Sequence, residues 1–481
     1  HGTAMASAVI HGDLSTGGEP LFRPIHMQPI LIPAPSFDAS HADEVSPSNR
    51  LLVDLIHTAV KRMVDVSNGQ ATAPSIRIVN LSFGNPYQPF DREMTPLAKL
   101  IDWLSWKYRL LFILSMGNHD DPIRLELTSE AWNLLDDHQA VGQTTKSIWK
   151  HQQNRRPLSP AEALNAIAVG SLHADGASVV TMGRRIDLLR NESLASPLNP
   201  VASGLRRGVK PDVLFPGGRQ LYVPSIQSKP GNLVFEPDNS IQPPGIQVAA
   251  PGIRAMELDR TSYSRGTSNA AALASHVAGL IHQRIEILRD GSKEAPWDEL
   301  DEASLIKCLL VHGADWGTAA ERIRDALSLT KGGWQTNNRQ IARFLGFGAV
   351  DTERCLFCTS DRVTLIGWSR IGVDQGHEYR VPLPQTLGST KVRRRLFATL
   401  AWLSPINFKH QKYRCSKLWL TRNSEDKSAG NLFFGPNDNA DSNLAQRGTV
   451  EHHVWSSEKA SPIDENDVLR FSVNCAEDAG K

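Results

Sequence analysis

Between residues 76 and 115 the chain reads strand, helix, strand, and this pattern restricts the fold more than any other stretch. Ile76–Leu81 is a short apolar run, Met94–Tyr108 places Leu97, Ile101 and Leu104 at helical spacing, and Leu110–Ser115 is apolar throughout. Two strands separated by a helix of that length are joined by a crossover, so they lie parallel in one sheet. A strand apolar on both of its faces is covered on both faces. Helices must therefore pack on either side, and the stripe Leu51, Leu52, Leu55, Ile56, Ala59, Val60 and Met63 supplies one such helix, with Leu305, Ile306, Leu309 and Leu310 supplying another. The expected architecture is α/β, a doubly wound and mostly parallel sheet. In open sheets of this kind binding sites gather beyond the carboxyl ends of the strands, and Ser82-Phe83-Gly84 and Ser115-Met116-Gly117-Asn118 fall at those ends.

A second constraint comes from Gly266-Thr267-Ser268, a turn that feeds the small-residue run Ala270-Ala271-Ala272-Leu273-Ala274-Ser275-His276-Val277-Ala278-Gly279. Such a run suits a closely packed interior helix. Ser268 then sits at a helix N-terminus, where unpaired N–H groups and the dipole favour negative charge. By itself the tripeptide reads more readily as a serine cap than as a nucleophile. The opening residues add a partner: His1-Gly2-Thr3-Ala4-Met5-Ala6-Ser7-Ala8 again places a glycine and small residues before a helical run. An imidazole just ahead of that helix can take a proton from a serine hydroxyl. The Asn118 side-chain amide, just past a strand end, can donate to an oxyanion.

The ordered set His-Gly-Thr, Gly-Asn and Gly-Thr-Ser resembles the motifs of the subtilisin-like serine proteases, or subtilases. Ile76–Gly84 is similar to the family's substrate-lining strand, and Lys210-Pro211-Asp212 with Pro216-Gly217 is similar to its Lys-Pro-Asp-x-x-x-Pro-Gly segment. Ala166–Gly170 and Gly346–Asp351 have the same look, so the resemblance extends from His1 to about Asp351. It implies a serine endopeptidase in which Ser268 is the nucleophile and His1 the general base. Asn118 with the Ser268 N–H forms the oxyanion hole, and Ser82, Phe83, Gly84, Ser115, Met116 and Gly117 line a bound polypeptide substrate. The family's aspartate precedes its histidine. The expectation is therefore that the chain is the downstream part of a longer polypeptide whose upstream segment supplies the acid. Ala272 stands where the family usually has a proline.

Composition narrows the remaining classes. Lys and Arg number 52 against 51 Asp and Glu, a net charge of +1, which gives no global argument for nucleic acid. The basic cluster Lys391-Val392-Arg393-Arg394-Arg395 lacks the interleaved aromatics of a nucleic-acid surface and reads as a solvated strand entry. No apolar run is long enough to span a membrane. The cysteines Cys308, Cys355, Cys358, Cys415 and Cys475 are odd in number and scattered, which fits reduced thiols and a cytoplasmic location. Cys355-Leu356-Phe357-Cys358 is a single C-x-x-C without the second ligand pair that structural zinc needs, so no metal or cofactor is expected.

Beyond residue 351 the texture changes to short strands, at 363–366, 379–383, 396–403, 417–420, 452–455 and 468–473, separated by turn-rich segments. The expected organisation is a peptidase-like domain over residues 1–354 and an all-β sandwich over residues 360–478 able to bind a protein partner. Two functional readings stand side by side: a serine endopeptidase, and a scaffold whose cleft binds peptides without cutting them. A serine esterase fits less well, because Ser268 does not lie in a Gly-x-Ser-x-Gly elbow.

Overall fold

A computed structural model describes residues 1–34, 44–66, 69–178, 180, 182–254, 256–329, 333–383, 386, 391–422, 437–458, 463 and 467–480. Within these the expected crossover is present: β1 (Ile78–Leu81), α3 (Pro96–Tyr108) and β3 (Leu111–Ser115) form one strand–helix–strand unit with parallel strands, with α1 (Gly2–His11) and α2 (Leu52–Val64) ahead of it and the short β2 (Asn85–Pro89) within it. Thr95 caps α3 by accepting from Ala98 N, and Pro96 occupies the first helical position, where its missing N–H costs nothing. The central sheet continues through β5 (Ile167–Leu172), β6 (Val213–Pro216) and the short β10 (Ala349–Val350), all parallel, and ends on the antiparallel β9 (Ala314–Asp315). In order across the sheet the strands run β9, β10, β6, β5, β3, β1.

Alternation along β3 explains the two layers. Leu110, Phe112 and Leu114 point to one side and pack with Ile56, Val60 and Met63 of α2 and Leu97, Ile101 and Leu104 of α3. Leu111 and Ile113 point to the other and join Ile167, Val169, Val213 and Phe215 against Ala270, Ala271, Ala274, Val277 and Ala278 of the long helix α5 (Thr267–Gly291) and Ile306 and Leu310 of α6 (Glu302–His312). The alanines of α5 are fully buried, which lets the helix axis approach the sheet closely. The hairpin β7 (Ile246–Ala249) and β8 (Thr261–Ser264) lies beside this core and leads directly into the turn before α5.

The C-terminal strands form a three-stranded antiparallel sheet, β11 (Gly376–Pro382), β15 (Val468–Glu477) and β13 (Ser416–Arg422), and a second ladder of β12 (Arg394–Ala401) with β14 (Val450–Ser457). The two sheets face each other through Trp455, Leu469 and Phe471 with Val381, Leu396 and Ala398. Residues 363–366, read as a strand from their apolar content, form none: Val363 and Leu365 are exposed, and without a pairing edge the run has nowhere to place its backbone hydrogen bonds. The two cysteines of the C-x-x-C have separate partners, with Cys355 Sγ bonded to Leu309 O and Cys358 Sγ accepting from Thr364 N.

Where β12 and β14 meet α6, two imidazoles share one hydroxyl. Thr399 Oγ1 lies 3.1 Å from His312 Nδ1 and 2.8 Å from His452 Nδ1, and His452 Nε2 donates to Ala314 O. Burial, reinforced by the guanidinium groups of Arg354 and Arg362, pushes the His312 imidazole down from 6.5 to about 4. Burial and the neighbouring His312 and His453 hold His452 well below the usual imidazole range. Because the folded values lie below the unfolded ones, the unfolded chain binds the extra protons. The contribution is therefore complete above about pH 6.5 and is lost as the pH falls towards 4. Asp102, which burial raises from 3.8 to about 6, works in the opposite direction over part of that window. The expected result is thus read as a difference: between pH 7 and 4 the melting temperature of the wild type should fall more steeply than that of a His312→Gln, His452→Gln variant. Parallel curves would rule the pair out as an acid-labile element.

Candidate functional site

The site is assembled around one carbonyl oxygen. Ser82 O, just beyond the end of β1, accepts a 2.8 Å hydrogen bond from Ser268 Oγ and lies 3.0 Å from His1 Nε2. The nucleophile and base candidates thus converge on a shared oxygen, though they are not bonded to each other. A carbonyl only accepts, so Nε2 carries the ring proton in this arrangement; to receive the serine proton the imidazole must present an unprotonated nitrogen to Oγ. No hydrogen bond or ion pair joins the His1 ring to a carboxylate among the described residues. Elsewhere a histidine–carboxylate pair, His173 Nε2 with Asp187 Oδ1 at 2.9 Å, is buried. Its remaining ring nitrogen accepts from Gln220 N, which leaves no position free to act as a base.

Ser268 is the second residue of α5, and Gly266 precedes the helix at φ 130°, a conformation that other residues adopt only with strain. A methyl group on Gly266 would also lie 2.6 Å from Asn118 Nδ2, so the turn admits no side chain. Gly266 N donates to Gly217 O at 2.8 Å, which hangs the turn on the Lys-Pro-Asp segment. That segment is itself anchored: Asp212 Oδ2 accepts from Ala168 N and from Lys210 Nζ, at 2.7 and 2.6 Å. His1 is placed by α1, which rests on α5 and β7 through Met5, Ala8, Ala272, Ile246 and Val248. Ser7 Oγ accepts from Ala249 N, Asp13 Oδ1 from Gln247 N, and Val9 O meets His276 Nδ1. Histidine and serine therefore hang from the same hairpin. Ala272 is fully buried in this contact, so small size is what the position requires here.

Asn118 is oriented by the helix end. Its Oδ1 accepts from Thr267 N at 2.9 Å and from Thr267 Oγ1 at 3.1 Å. A backbone N–H can only donate, so the atom facing it must be oxygen, and the Nδ2 donors point the other way. The Ser268 N–H, in the first turn, has no acceptor within the helix. These two groups are the donors an oxyanion needs. Asn118→Leu is expected to lower kcat on the order of 10²–10³-fold with a smaller change in KM. Asn118→Asp, which keeps an acceptor for Thr267 while removing the donor, should lose at least as much turnover and retain more of the helix cap. Steady-state kinetics together with thermal melts check this, and full activity in Asn118→Asp would remove Asn118 from the reaction.

The other residues expected to line the substrate divide. Ser82, through its carbonyl, sits at the centre. Phe83 and Gly84 are partly exposed beside it, whereas Ser115, Met116 and Gly117 are buried. Met116 O already accepts from Leu158 N, and its side chain packs with Ala161 and Ala168. Ser115 Oγ is buried with no hydrogen-bond partner among the described residues. Two positioning residues escaped the sequence reading. Asn80 Oδ1 holds the Ser82 hydroxyl at 2.8 Å while its Nδ2 donates to Ser275 Oγ, and Thr267 fixes Asn118. A lone asparagine in an apolar strand was the available signal for Asn80.

A mostly parallel sheet with a serine at a helix N-terminus, a histidine that meets it at one carbonyl oxygen and an amide aimed past the helix end defines an α/β protein whose polar site lies beyond the carboxyl ends of its strands. The chain belongs to the subtilase family (peptidase S8), whose profile matches residues 1–348. It is 25% identical over 346 residues to the uncharacterized protein y4bN of Sinorhizobium fredii, covering 70% of this chain and 69% of that protein. Among solved structures it is similar to a protease from Pseudoalteromonas arctica, at 15% identity and a TM-score of 0.33, covering 64% of this chain and 58% of that one. It is also similar to the patellamide maturation protease PatA, at 16% identity and a TM-score of 0.33, covering 65% of this chain and 71% of that one. Fervidolysin from Fervidobacterium pennivorans is matched at 12% identity and a TM-score of 0.30, covering 87% of this chain and 36% of that one. No helix among the described residues is long and apolar enough to cross a membrane.

Proposed function

We propose that the chain is a serine endopeptidase. The observation that carries this reading is the meeting of Ser268 Oγ and His1 Nε2 at Ser82 O, with Thr267 forcing the Asn118 amide donors away from the helix end. Ser268 Oγ attacks a peptide carbonyl carbon while His1 takes the hydroxyl proton; the carbonyl oxygen, now negative, is held by Asn118 Nδ2 and Ser268 N. Collapse breaks the C–N bond, His1 returns the proton to the leaving amine, and a water molecule activated by His1 then hydrolyses the acyl-enzyme. A carboxylate on the far side of the imidazole would fix its tautomer and support its positive charge.

The peptide-binding reading without cleavage draws on a separate observation: the serine hydroxyl donates to Ser82 O, and the imidazole has no bonded carboxylate among the described residues. We assign residues 1–354 to the peptidase unit and 360–478 to the β unit, which is a candidate surface for a protein partner. A fluorophosphonate probe, which reacts with activated serines, distinguishes the two readings. The chain and its Ser268→Ala variant are to be compared. Labelling that depends on Ser268 supports the endopeptidase; folded protein that labels in no form supports the binder.

A further inference from the structure

Past the ends of β1 and β3, Gly84 and Gly117 lie side by side, and a methyl group built on Gly84 would come within 3.3 Å of Gly117 Cα. The gap between the two strand ends is therefore narrow. It is also filled. The same methyl would lie 2.9 Å from Leu158 Cβ, and one built on Gly117 would meet Leu158 Cγ at 2.5 Å. Leu158 is only 6% exposed, so its side chain lies inside the gap against both glycines.

The leucine is held there by its own backbone. Leu158 N donates to Met116 O at 3.0 Å, and Phe90 N donates to Pro157 O at 2.8 Å. The short β4 (Leu158–Ser159) pairs antiparallel with β2, and Ser159 Oγ lies 2.6 Å from the Thr95 Oγ1 that caps α3. The backbone around Leu158 is thus held at three points, which fixes where its Cβ enters the gap.

The gap opens next to the reacting groups. Ser82, two residues before Gly84, holds the Ser268 hydroxyl, and Asn118 directly follows Gly117. A peptide whose carbonyl carbon meets Ser268 Oγ and whose oxygen faces Asn118 Nδ2 has the Cα of that residue one bond away. Gly84 and Gly117 therefore flank the place where its side chain begins. We propose that Leu158 is a specificity-determining residue that closes this gap, so that the chain cleaves after residues with small side chains, glycine, alanine or serine, and rejects aromatic and long aliphatic ones. The proposal rests on the endopeptidase reading and adds the substrate class to it.

Peptidyl phosphonate esters that differ only in the residue next to phosphorus, alanine or phenylalanine, test the proposal on the chain, with a plain alkyl fluorophosphonate as reference. The wild type should react with the alanine probe at least about 10-fold faster than with the phenylalanine probe, since even one methylene brings discrimination on the order of 10-fold and a phenyl ring is larger. Leu158→Ala should reverse or erase that ratio, while Leu158→Met, of similar volume, should keep it. The wild-type comparison needs no variant, so it stands even if the cavity left by alanine prevents folding. Equal rates of the two probes on the wild type, with normal fluorophosphonate labelling, overturn the role of Leu158 and leave the endopeptidase intact. So does an unchanged ratio in folded Leu158→Ala. Failure of Ser268 to react with any of the three probes overturns both.

Discussion

The double variant His1→Ala, Ser268→Ala is expected to hydrolyse a peptide substrate no more slowly than Ser268→Ala alone. Ser268→Ala should itself lose on the order of 10⁶-fold in kcat, and His1→Ala a comparable amount, because groups that act as one unit lose their function together. The structural basis is that both side chains address the same oxygen, Ser82 O, and neither has another hydrogen-bond partner among the described residues. A hydroxyl without a base is a weak nucleophile, and a base without the hydroxyl has only water to activate. Residual cleavage, due to Asn118, the Ser268 N–H and substrate positioning, should persist at the same level in all three variants. Losses that multiply in the double variant would mean that His1 and Ser268 act independently, and the convergence at Ser82 would then be structural.

A chain ending at Cys358 is expected not to fold cooperatively, although the change of texture near residue 360 suggests a boundary. The reason lies in buried polar groups that the β unit satisfies. Tyr413 donates its hydroxyl to Asp102 Oδ2 at 2.8 Å, and Asn165 exchanges two 2.9 Å bonds with the Ser404 backbone. Lys307 Nζ, fully buried, reaches Thr449 Oγ1 at 2.7 Å. Asn338 Nδ2, buried, donates to Asn439 O at 2.9 Å, and Asn439 Nδ2 donates to Phe347 O at 2.8 Å. Each stranded buried group costs about 1–3 kcal/mol, more where it is charged. Leu403, Leu444 and Val450 belong to the main core beneath the sheet, and each large aliphatic side chain removed subtracts a further ~1.5–3 kcal/mol. Together these losses reach the whole stability of an ordinary domain, about 5–15 kcal/mol. Circular dichroism melts of the truncated chain should show no sharp transition. A cooperative melt within a few degrees of the intact protein would show instead that the two units fold separately.

The parallel sheet was legible because its signals are local. The apolar run of Leu110–Ser115 and the stripes of α2 and α6 report burial through periodicities of two and 3.6, which survive without knowledge of neighbours. The positions of His1, Asn118 and Ser268 at element ends were legible for the same reason. Glycines and small residues mark where a helix begins, and a strand's last residue marks the edge where sites form. The strand expected at 363–366 failed because pairing is a property of two segments, and apolar content describes only one.

What the sequence by itself determined is therefore the α/β class, the order of its elements and the identity of the polar groups offered at the strand ends. The tertiary structure alone decided which of those groups meet. It brings Ser268 and His1 to Ser82 O rather than to each other, turns the Asn118 amide by giving its oxygen to Thr267, places Leu158 between Gly84 and Gly117, and runs a buried polar network from Asp102 and Lys307 into the β unit. The physical reason is one of range. Propensity and periodicity act over a turn or two of chain, whereas a hydrogen bond between residues 82 and 268, or 102 and 413, exists only once packing has fixed both partners to within tenths of an ångström.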